Sequence, residues 1–417
     1  MSSQFPLQRD VRMRGFTDRV VVQDAVNWID RHAKCLESEI VGLEYAYGRV
    51  LGSAVTAAID VPPFDRAAMD GYALRGEETV GADSYNPLRF RILGESMPGQ
   101  PFDGQVDVAT AVRIMTGASV PSGADSIVPA EYANEGDGFV EVTLAIARGR
   151  HVGRRGEDII QNSEILAAGR RLRPQDIGLL ASIGIDRIEV ARHPRVRVIV
   201  TGNELVSPGR PRGAHQIFES NSSMLRGLID RDDGMVTETV DVEDDREAIR
   251  HAMADPAADV VLVSGGSSVG AEDHAPLVLA ELGELAIHGI AMRPSSPTGM
   301  GRIGRTMVIL LPGNPVSCLC AYDFFAGRAI RLLGGRRADW PYVARQARVA
   351  RKIVSAIGRV DYCRVSLMGD EITPLALSGA SILSSTTHAD GFVIIPAECE
   401  GYGPGVVINV YQYDPVS

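Results

Sequence analysis

Residues 260–270 read VVLVSGGSSVG. The residues before the first glycine are apolar except for the last, and a continuous apolar run is typical of a strand that is buried on both faces, as in parallel sheets. The glycines that follow let the backbone approach an anion closely, and the serine hydroxyls add hydrogen-bond donors. The stretch therefore predicts a buried strand that ends in a phosphate-binding loop, although a glycine-rich turn without a ligand explains one such loop equally well.

Strands and helices alternate on both sides of this stretch. Apolar runs at 195–200, 235–240 and 306–311 indicate further strands, and helical patterns begin at 222, 245 and 315 and also follow residue 276. Regular alternation of strands and helices predicts a mostly parallel sheet with helices on both faces. We therefore assign residues 193–337 to a doubly wound α/β domain.

Three polar loops follow predicted strands of this domain, at 201–204, 264–270 and 312–317. In open α/β sheets, ligands gather at the carboxyl ends of the strands, so convergence of three such loops favours a binding site. Pro315 alone is also explained by the first turn of a helix, where a proline loses no hydrogen bond. The candidate binding residues are Ser264, Gly265, Gly266, Ser267, Ser268, Gly270, Pro312, Gly313, Asn314, Pro315 and Ser317.

Carboxylates lie along the same predicted edge, at Glu204, Asp244 and Asp273. Carboxylates close to phosphates usually share a Mg²⁺ ion with them, so the three are candidate metal ligands. Two of them have simpler explanations. Asp244 precedes a predicted helix and fits an N-cap, and Asp273 fits the first turn of the next helix.

The remaining segments indicate further domains. Residues 62–155 contain short alternating runs at 90–93, 111–115 and 139–142 and predict an inserted β-rich domain. Helical patterns at 20–34 and 173–183 place residues 1–61 and 156–192 in a split helical domain. Runs at 362–367, 391–395 and 406–410 predict a small β domain over 338–417.

Composition restricts the function. A formal net charge of -11 argues against a general nucleic-acid binder, because a phosphate backbone requires a basic surface. No apolar run approaches the roughly 20 residues that span a bilayer, so we expect a cytoplasmic protein without a membrane segment. The five cysteines form no CxxC pair, and Cys318 and Cys320 lie in an apolar helical pattern, which favours buried reduced thiols.

Several of these segments together resemble one family, MoeA, the molybdopterin molybdenumtransferases, whose animal counterpart is the C-terminal part of gephyrin. The resemblance spans nearly the whole chain and is carried by residues 62–73, 114–125, 155–158, 201–205, 264–270 with Asp273, and 311–317. It implies a split helical domain, an inserted β domain, a molybdopterin-binding α/β domain and a C-terminal β-barrel-like domain.

The resemblance also implies a reaction. Molybdenum from molybdate enters adenylylated molybdopterin with the help of Mg²⁺, and AMP is released. It implies a homodimer in which Asp70 and Thr116 act in the partner's cleft, with the upstream adenylyltransferase as a further partner. The resemblance further implies that Asp70, Thr116, Glu204, Asp244 and Asp273 form the molybdate and Mg²⁺ side, that residues 264–270 and 312–317 surround the pterin phosphate, and that Arg359 and Ser381 reach the cleft.

One segment departs from the family pattern. Where family members carry lysines, residues 289–297 have Gly289 and Ser296, and only Arg293 keeps a positive charge. Loss of two cations favours an alternative, a paralogue that binds or carries molybdopterin without inserting metal, in which restoring both lysines raises activity. Cations supplied from elsewhere, with Arg293 acting in part, explain the departure equally well. A scaffold protein is a third hypothesis, for which the sequence offers only the expected dimer.

Overall fold

The computed structural model describes residues 16, 19–254, 257–267, 273–376 and 379–413. The chain forms two compact units, one containing residues 1–39 and 191–417 and the other residues 40–190. The chain passes between them within the strands Ser38–Gly42 and Arg187–Ala191. Within the described residues, no helix is both long and apolar enough to cross a bilayer.

The first unit is built on a six-stranded sheet. Four parallel strands lie side by side in the order Met235–Val242, Arg195–Thr201, Val260–Ser264 and Thr306–Leu311, which confirms the predicted strands. Gly299–Ile303 and Glu284–His288 extend one edge in antiparallel fashion. These two strands were not predicted from the sequence, and in Gly299–Ile303 the apolar pattern is interrupted because close packing requires glycine. A Cβ atom at Gly301 would lie 1.8 Å from the carbonyl oxygen of Glu284.

Helices cover both faces of this sheet, which confirms the doubly wound fold. Alternate residues of one strand enter different cores, since Val198 and Val200 pack on one face and Ile199 on the other. The first face carries the helices Val22–His32, Asn221–Arg231, Pro315–Ala321 and Gly327–Leu333, the last two joined by the π-helix Tyr322–Ala326. The second face carries Arg246–Met253 and Ala275–Leu282.

The helix Val22–His32 differs from the expectation in its packing partner. We expected it to join residues 156–192, but Trp28 and Ile29 are buried in the same core as Val196 of the central sheet. The amphipathic pattern correctly predicts a helix with one buried face. That pattern contains no information about which surface covers the face.

A β-barrel follows the α/β domain within the first unit. Its strands are Val360–Met368, Glu371–Ala376, Val343–Val349, Val407–Gln412 and Gly391–Ile395, and the last pairs again with the first, so the sheet closes. The barrel-like tail is thereby confirmed. The short strand Met292–Arg293 pairs in parallel with Val360 and Asp361, which joins the α/β domain to the barrel. The remaining elements of this unit are the pairs Leu205–Val206 with Ile217–Phe218 and Ile353–Val354 with Gly401–Tyr402, and the helix Ser384–Thr387.

The second unit contains a six-stranded sheet and a smaller helical part. The sheet has the order Ser126–Pro129, Gly71–Leu74, Thr110–Ile114, Leu88–Ser96, Phe139–Val142 and Ala133–Gly136. The helix Pro174–Ser182 packs in a separate core with the strand Glu164–Leu166. The other elements are the strands Val55–Thr56, Arg66–Ala67 and Val152–Gly153 and the 3₁₀ helices Leu43–Tyr45, Gly76–Thr79 and Ala130–Tyr132.

Candidate functional site

The loops at the carboxyl ends of the central strands are bonded to one another. Gly265 donates its N–H to the carbonyl of Leu311 at 3.2 Å. The amide Nδ2 of Asn221, a residue that is only 6% exposed, donates to Ser264 Oγ at 2.9 Å and to the Gly313 carbonyl at 2.7 Å. Asn221 Oδ1 is buried and accepts no hydrogen bond from the described residues. One side chain that the sequence did not single out therefore holds two predicted loops together.

Glycine is required at position 265 by the packing of these loops. Gly265 has φ +102°, and a Cβ atom there would lie 2.2 Å from the carbonyl oxygen of Thr201. The loops after Thr201 and Ser264 therefore approach each other at a distance that no other residue allows. Of the predicted loop residues, Ser268 and Gly270 lie outside the described residues.

Asp244 anchors the first loop. Its carboxylate accepts hydrogen bonds from the Thr201 hydroxyl and from the Asn203 N–H, the second at 3.3 Å. Asn203 Oδ1 accepts the Asp244 N–H in return, at 3.2 Å. The N-cap of the following helix is Asp245, which accepts the Ala248 N–H at 2.9 Å. The capping explanation for Asp244 is thus wrong, because the chain uses the next aspartate for that purpose.

The predicted metal ligands do not form an all-protein cage. Glu204 is exposed, Asp244 is half-buried and already engaged, and the described part of the chain contains no group of three residues of metal-ligating type. Mg²⁺ is commonly bound by one or two carboxylates together with substrate phosphates and water. Glu204 and Asp244 fit that kind of shared site and do not fit a resident metal centre.

His288 supports the glycine-rich loop from the neighbouring edge strand. Its Nε2–H donates to the Ser267 carbonyl at 2.9 Å. Burial lowers the pKa of His288 below its ordinary value, while the bond to Ser267 and the charge of Asp273 act in the opposite direction. The imidazole is therefore neutral near pH 7 and serves as a hydrogen-bond donor to the loop.

A cavity of about 660 Å³ lies beside the loops. Five predicted residues line it, namely Arg293, Pro312, Asn314, Ser317 and Arg359. Three residues that the sequence did not suggest also line it: Phe16, Arg19 and Arg364, the last with a fully buried side chain. The cavity thus brings together residues from the start of the described chain, the α/β domain and the barrel.

Positive charge exceeds negative charge at this cavity. Asp361 is fully buried and pairs with Arg293 and, at 3.2 Å, with Arg359 Nε, while Ser355 Oγ donates to it at 2.8 Å. Four arginines, Arg19, Arg293, Arg359 and Arg364, line the cavity, and Asp361 pairs with two of them. Guanidinium groups bind planar or tetrahedral oxyanions through paired N–H donors, so the cavity suits an oxyanion.

The barrel contributes a second contact near the cavity. Ser381 Oγ donates to Asn314 Oδ1 at 3.0 Å, and the Val316 N–H donates to the Ala380 carbonyl at 2.9 Å. Ser381 is thereby placed at the loop that carries Asn314, and Arg359 lines the same cavity as Asn314. Both had been predicted through the family resemblance alone.

Asp70 and Thr116 meet in the second unit. Asp70 Oδ1 accepts hydrogen bonds from the N–H of Thr116 at 2.7 Å and from its hydroxyl at 2.8 Å. These bonds lower the pKa of the exposed Asp70 carboxylate below its ordinary value. The carboxylate is therefore ionised at neutral pH, and its second oxygen remains available to a ligand.

Gly289 cannot carry the lysine that the family pattern has at this position. It has φ +89°, and a Cβ atom there would lie 2.4 Å from the Phe16 ring. We expect Gly289→Lys to lower the free energy of unfolding by about 2 kcal/mol, because a side chain at positive φ is strained and Phe16 must move. Urea denaturation measures the change.

Ser296→Lys is the comparison for Gly289→Lys, since Ser296 lines the cavity and does not have a positive φ. It should lower the free energy of unfolding less than Gly289→Lys does while adding a cation. Equal stability of Gly289→Lys and the unmodified protein would contradict this explanation. Restoring both lysines together is accordingly a poor test of the paralogue hypothesis, because one of the two changes damages the fold.

The first unit has the arrangement of α/β proteins that bind phosphate-bearing ligands at the carboxyl ends of parallel strands. Three family models match successive parts of the chain. They are the MoeA N-terminal region (domain I and II) at residues 20–184, a probable molybdopterin binding domain at 197–331 and the MoeA C-terminal region (domain IV) at 346–413.

Similar proteins agree with these matches over most of the chain. Molybdopterin molybdenumtransferase 2 of Mycobacterium tuberculosis is 34% identical over 387 residues, which cover 89% of this chain and 94% of that protein. Molybdopterin molybdenumtransferase of Haemophilus influenzae is 29% identical over 388 residues, which cover 91% of this chain and 94% of that protein. A crystal structure of a MoeA protein from Pyrococcus horikoshii has a TM-score of 0.84 at 32% identity, covering 95% of this chain and all of that one. The chain belongs to the MoeA family, an enzyme family of molybdenum cofactor biosynthesis.

Proposed function

We propose that this chain inserts molybdenum from molybdate into adenylylated molybdopterin with release of AMP. The observation that carries the proposal is the arginine-lined cavity beside the bonded loops at the sheet edge. Water cleaves the phosphoanhydride bond of the adenylylated pterin, so that AMP leaves and the pterin keeps its phosphate, while the two dithiolene sulfurs bind molybdenum and the oxygen that they displace from molybdate leaves as water. Both substrates are anions, which an acidic protein must hold through a local concentration of positive charge.

We assign the two ends of the site to different parts of the ligands. Residues 264–267 and 312–317 surround the pterin phosphate, with backbone N–H groups and hydroxyls as donors. The cavity arginines hold an oxyanion. Glu204 and Asp244, together with Asp273, are the residues that would share Mg²⁺ with the phosphates, and the ion would neutralise charge on the leaving adenylate.

We further propose a homodimer that receives adenylylated pterin from the upstream adenylyltransferase. Asp70 and Thr116 belong to the second unit, whereas the cavity belongs to the first. The family resemblance assigns the two residues to the cleft of the partner subunit. Sedimentation of the purified protein should give a discrete dimer and not the larger clusters expected of a scaffold.

The decisive measurement is AMP release. Purified protein supplied with adenylylated molybdopterin, Mg²⁺ and molybdate should release AMP, and omission of molybdate or addition of a chelator should suppress the release. Pterin binding without molybdate-dependent AMP release would favour the paralogue instead. The positions of Arg19, Arg359 and Arg364 support the transferase, since they supply cations at the cavity although Gly289 and Ser296 carry none.

A further inference from the structure

The segment that precedes the first helix forms part of the cavity wall. Val20 donates its N–H to the Gly289 carbonyl at 3.0 Å, and Ala291 donates to the Val20 carbonyl at 2.8 Å. These bonds form a parallel bridge between Val20 and Ile290. The bridge leads directly into residues 291–297, which line the cavity together with Arg19 and Val21.

Phe16 fixes the same segment at a second point. Its ring contacts His288 edge-on, with 4.9 Å between the ring centroids, and lies over Gly289. Only glycine permits that position, because any Cβ atom at residue 289 would overlap the ring. The Phe16 ring therefore occupies the space that a side chain at position 289 would need.

Arg19 differs from the other arginines of the cavity. Arg293 and Arg359 share the buried carboxylate of Asp361, and Arg364 is buried within the protein. Arg19 is exposed and forms no ion pair with any residue in the described part of the chain. Its charge is thus less compensated by the protein than the charges of Arg293 and Arg359, and its exposed side chain lines the cavity where a ligand would bind.

We propose that Arg19 is a ligand-binding residue of this cavity and contacts a tetrahedral oxyanion, either molybdate or the phosphate of molybdopterin. The inference rests on the proposed function. Arg19 then supplies a cation close to Gly289, a position at which this chain carries none. Binding specificity for the anionic group then depends partly on a residue far away in sequence from the strand-end loops.

The test compares Arg19→Gln with Arg19→Lys by calorimetric titration, using sodium molybdate in one arm and molybdopterin in the other. Arg337→Gln is the matched control, because the Arg337 side chain is 90% exposed and pairs only with Asp339 among the described residues. We expect Arg19→Gln to weaken binding about tenfold in one arm, as loss of one charge-assisted contact does, and Arg19→Lys to retain most of the affinity. The arm that changes identifies the oxyanion.

Two further readouts separate binding from folding and from the proposed function. Arg19→Gln should leave the urea midpoint unchanged and should reduce the salt dependence of binding. If Arg19→Gln binds both probes as the unmodified protein does while Arg359→Gln binds them weakly, the role of Arg19 is overturned. The proposed function would remain intact in that case. Failure of the unmodified protein to bind either probe would overturn both.

Discussion

Replacement of Asp70 by asparagine is expected to lower molybdate-dependent AMP release about a hundredfold, the loss typical of one charged or polar group in an active site. The asparagine Oδ1 can still accept both hydrogen bonds from Thr116, so the loop should keep its shape while the negative charge disappears. The measurement is the initial rate of AMP release at saturating substrates. Asp103→Asn, at an exposed position of the same unit, is the control and should have no effect.

Mixed dimers test whether Asp70 acts in the cleft of the partner subunit in the proposed homodimer. Asp70→Asn and Asp244→Asn protomers are refolded together to form heterodimers. If Asp70 serves the partner's cleft, one cleft of each heterodimer carries both changes and the other cleft carries neither. Activity should then return to about a quarter of the unmodified rate, since random pairing gives roughly half heterodimers with one good cleft each. No recovery on mixing would mean that both residues serve one protomer's own cleft. A normal rate for Asp70→Asn alone would remove the residue from the site.

Replacement of Asp361 by asparagine is expected to lower the free energy of unfolding by about 3 kcal/mol, because it removes the buried counter-charge of two guanidinium groups. Arg293 and Arg359 are about one third exposed, which places the expected loss at the lower end for buried ion pairs. Urea denaturation measures it. Asp370→Asn is the control, since that side chain is 90% exposed and pairs with Arg345 at the surface.

Added anion should partly restore the Asp361→Asn variant. A ligand that binds only the folded state raises its stability in proportion to the logarithm of ligand concentration over Kd. Because the two arginines lose their internal partner, molybdate should stabilise Asp361→Asn more than it stabilises the unmodified protein. Equal stabilisation of both proteins would show that these arginines do not face the bound oxyanion.

Local patterns were sufficient to predict the four parallel strands of the α/β domain. The strands at 260–264 and 306–311 are continuous apolar runs with both faces buried, so burial alone determines their pattern. The strands at 284–288 and 299–303 were missed, the second because its glycines reflect close contact with a neighbouring strand. Burial of the helix Val22–His32 was likewise predictable, whereas its partner in the core was not.

The residues of the candidate site that directly follow strands were predictable from the sequence. Ser264, Asn314 and Asp244 lie where strand-end loops were expected, although Asp244 anchors a neighbouring loop and does not cap a helix. Arg19 and Arg364 gave no local signal, since each is an isolated arginine whose neighbours in space are remote in sequence. Asn221 begins a helix and carries no pattern that distinguishes a bridge between loops from an ordinary polar residue.

The two-residue strand Met292–Arg293 places Arg293 opposite Asp361 through backbone pairing. A shift of this register by a single residue would turn the guanidinium to the opposite side of the strand. The spacing of positive charge is therefore set before any ligand arrives, and little conformational entropy is lost when an anion binds. We therefore expect the fixed spacing of the arginines to determine which size of oxyanion binds best. A change in the curvature of the barrel would alter that spacing, and with it the preferred anion, without any change in the arginines themselves.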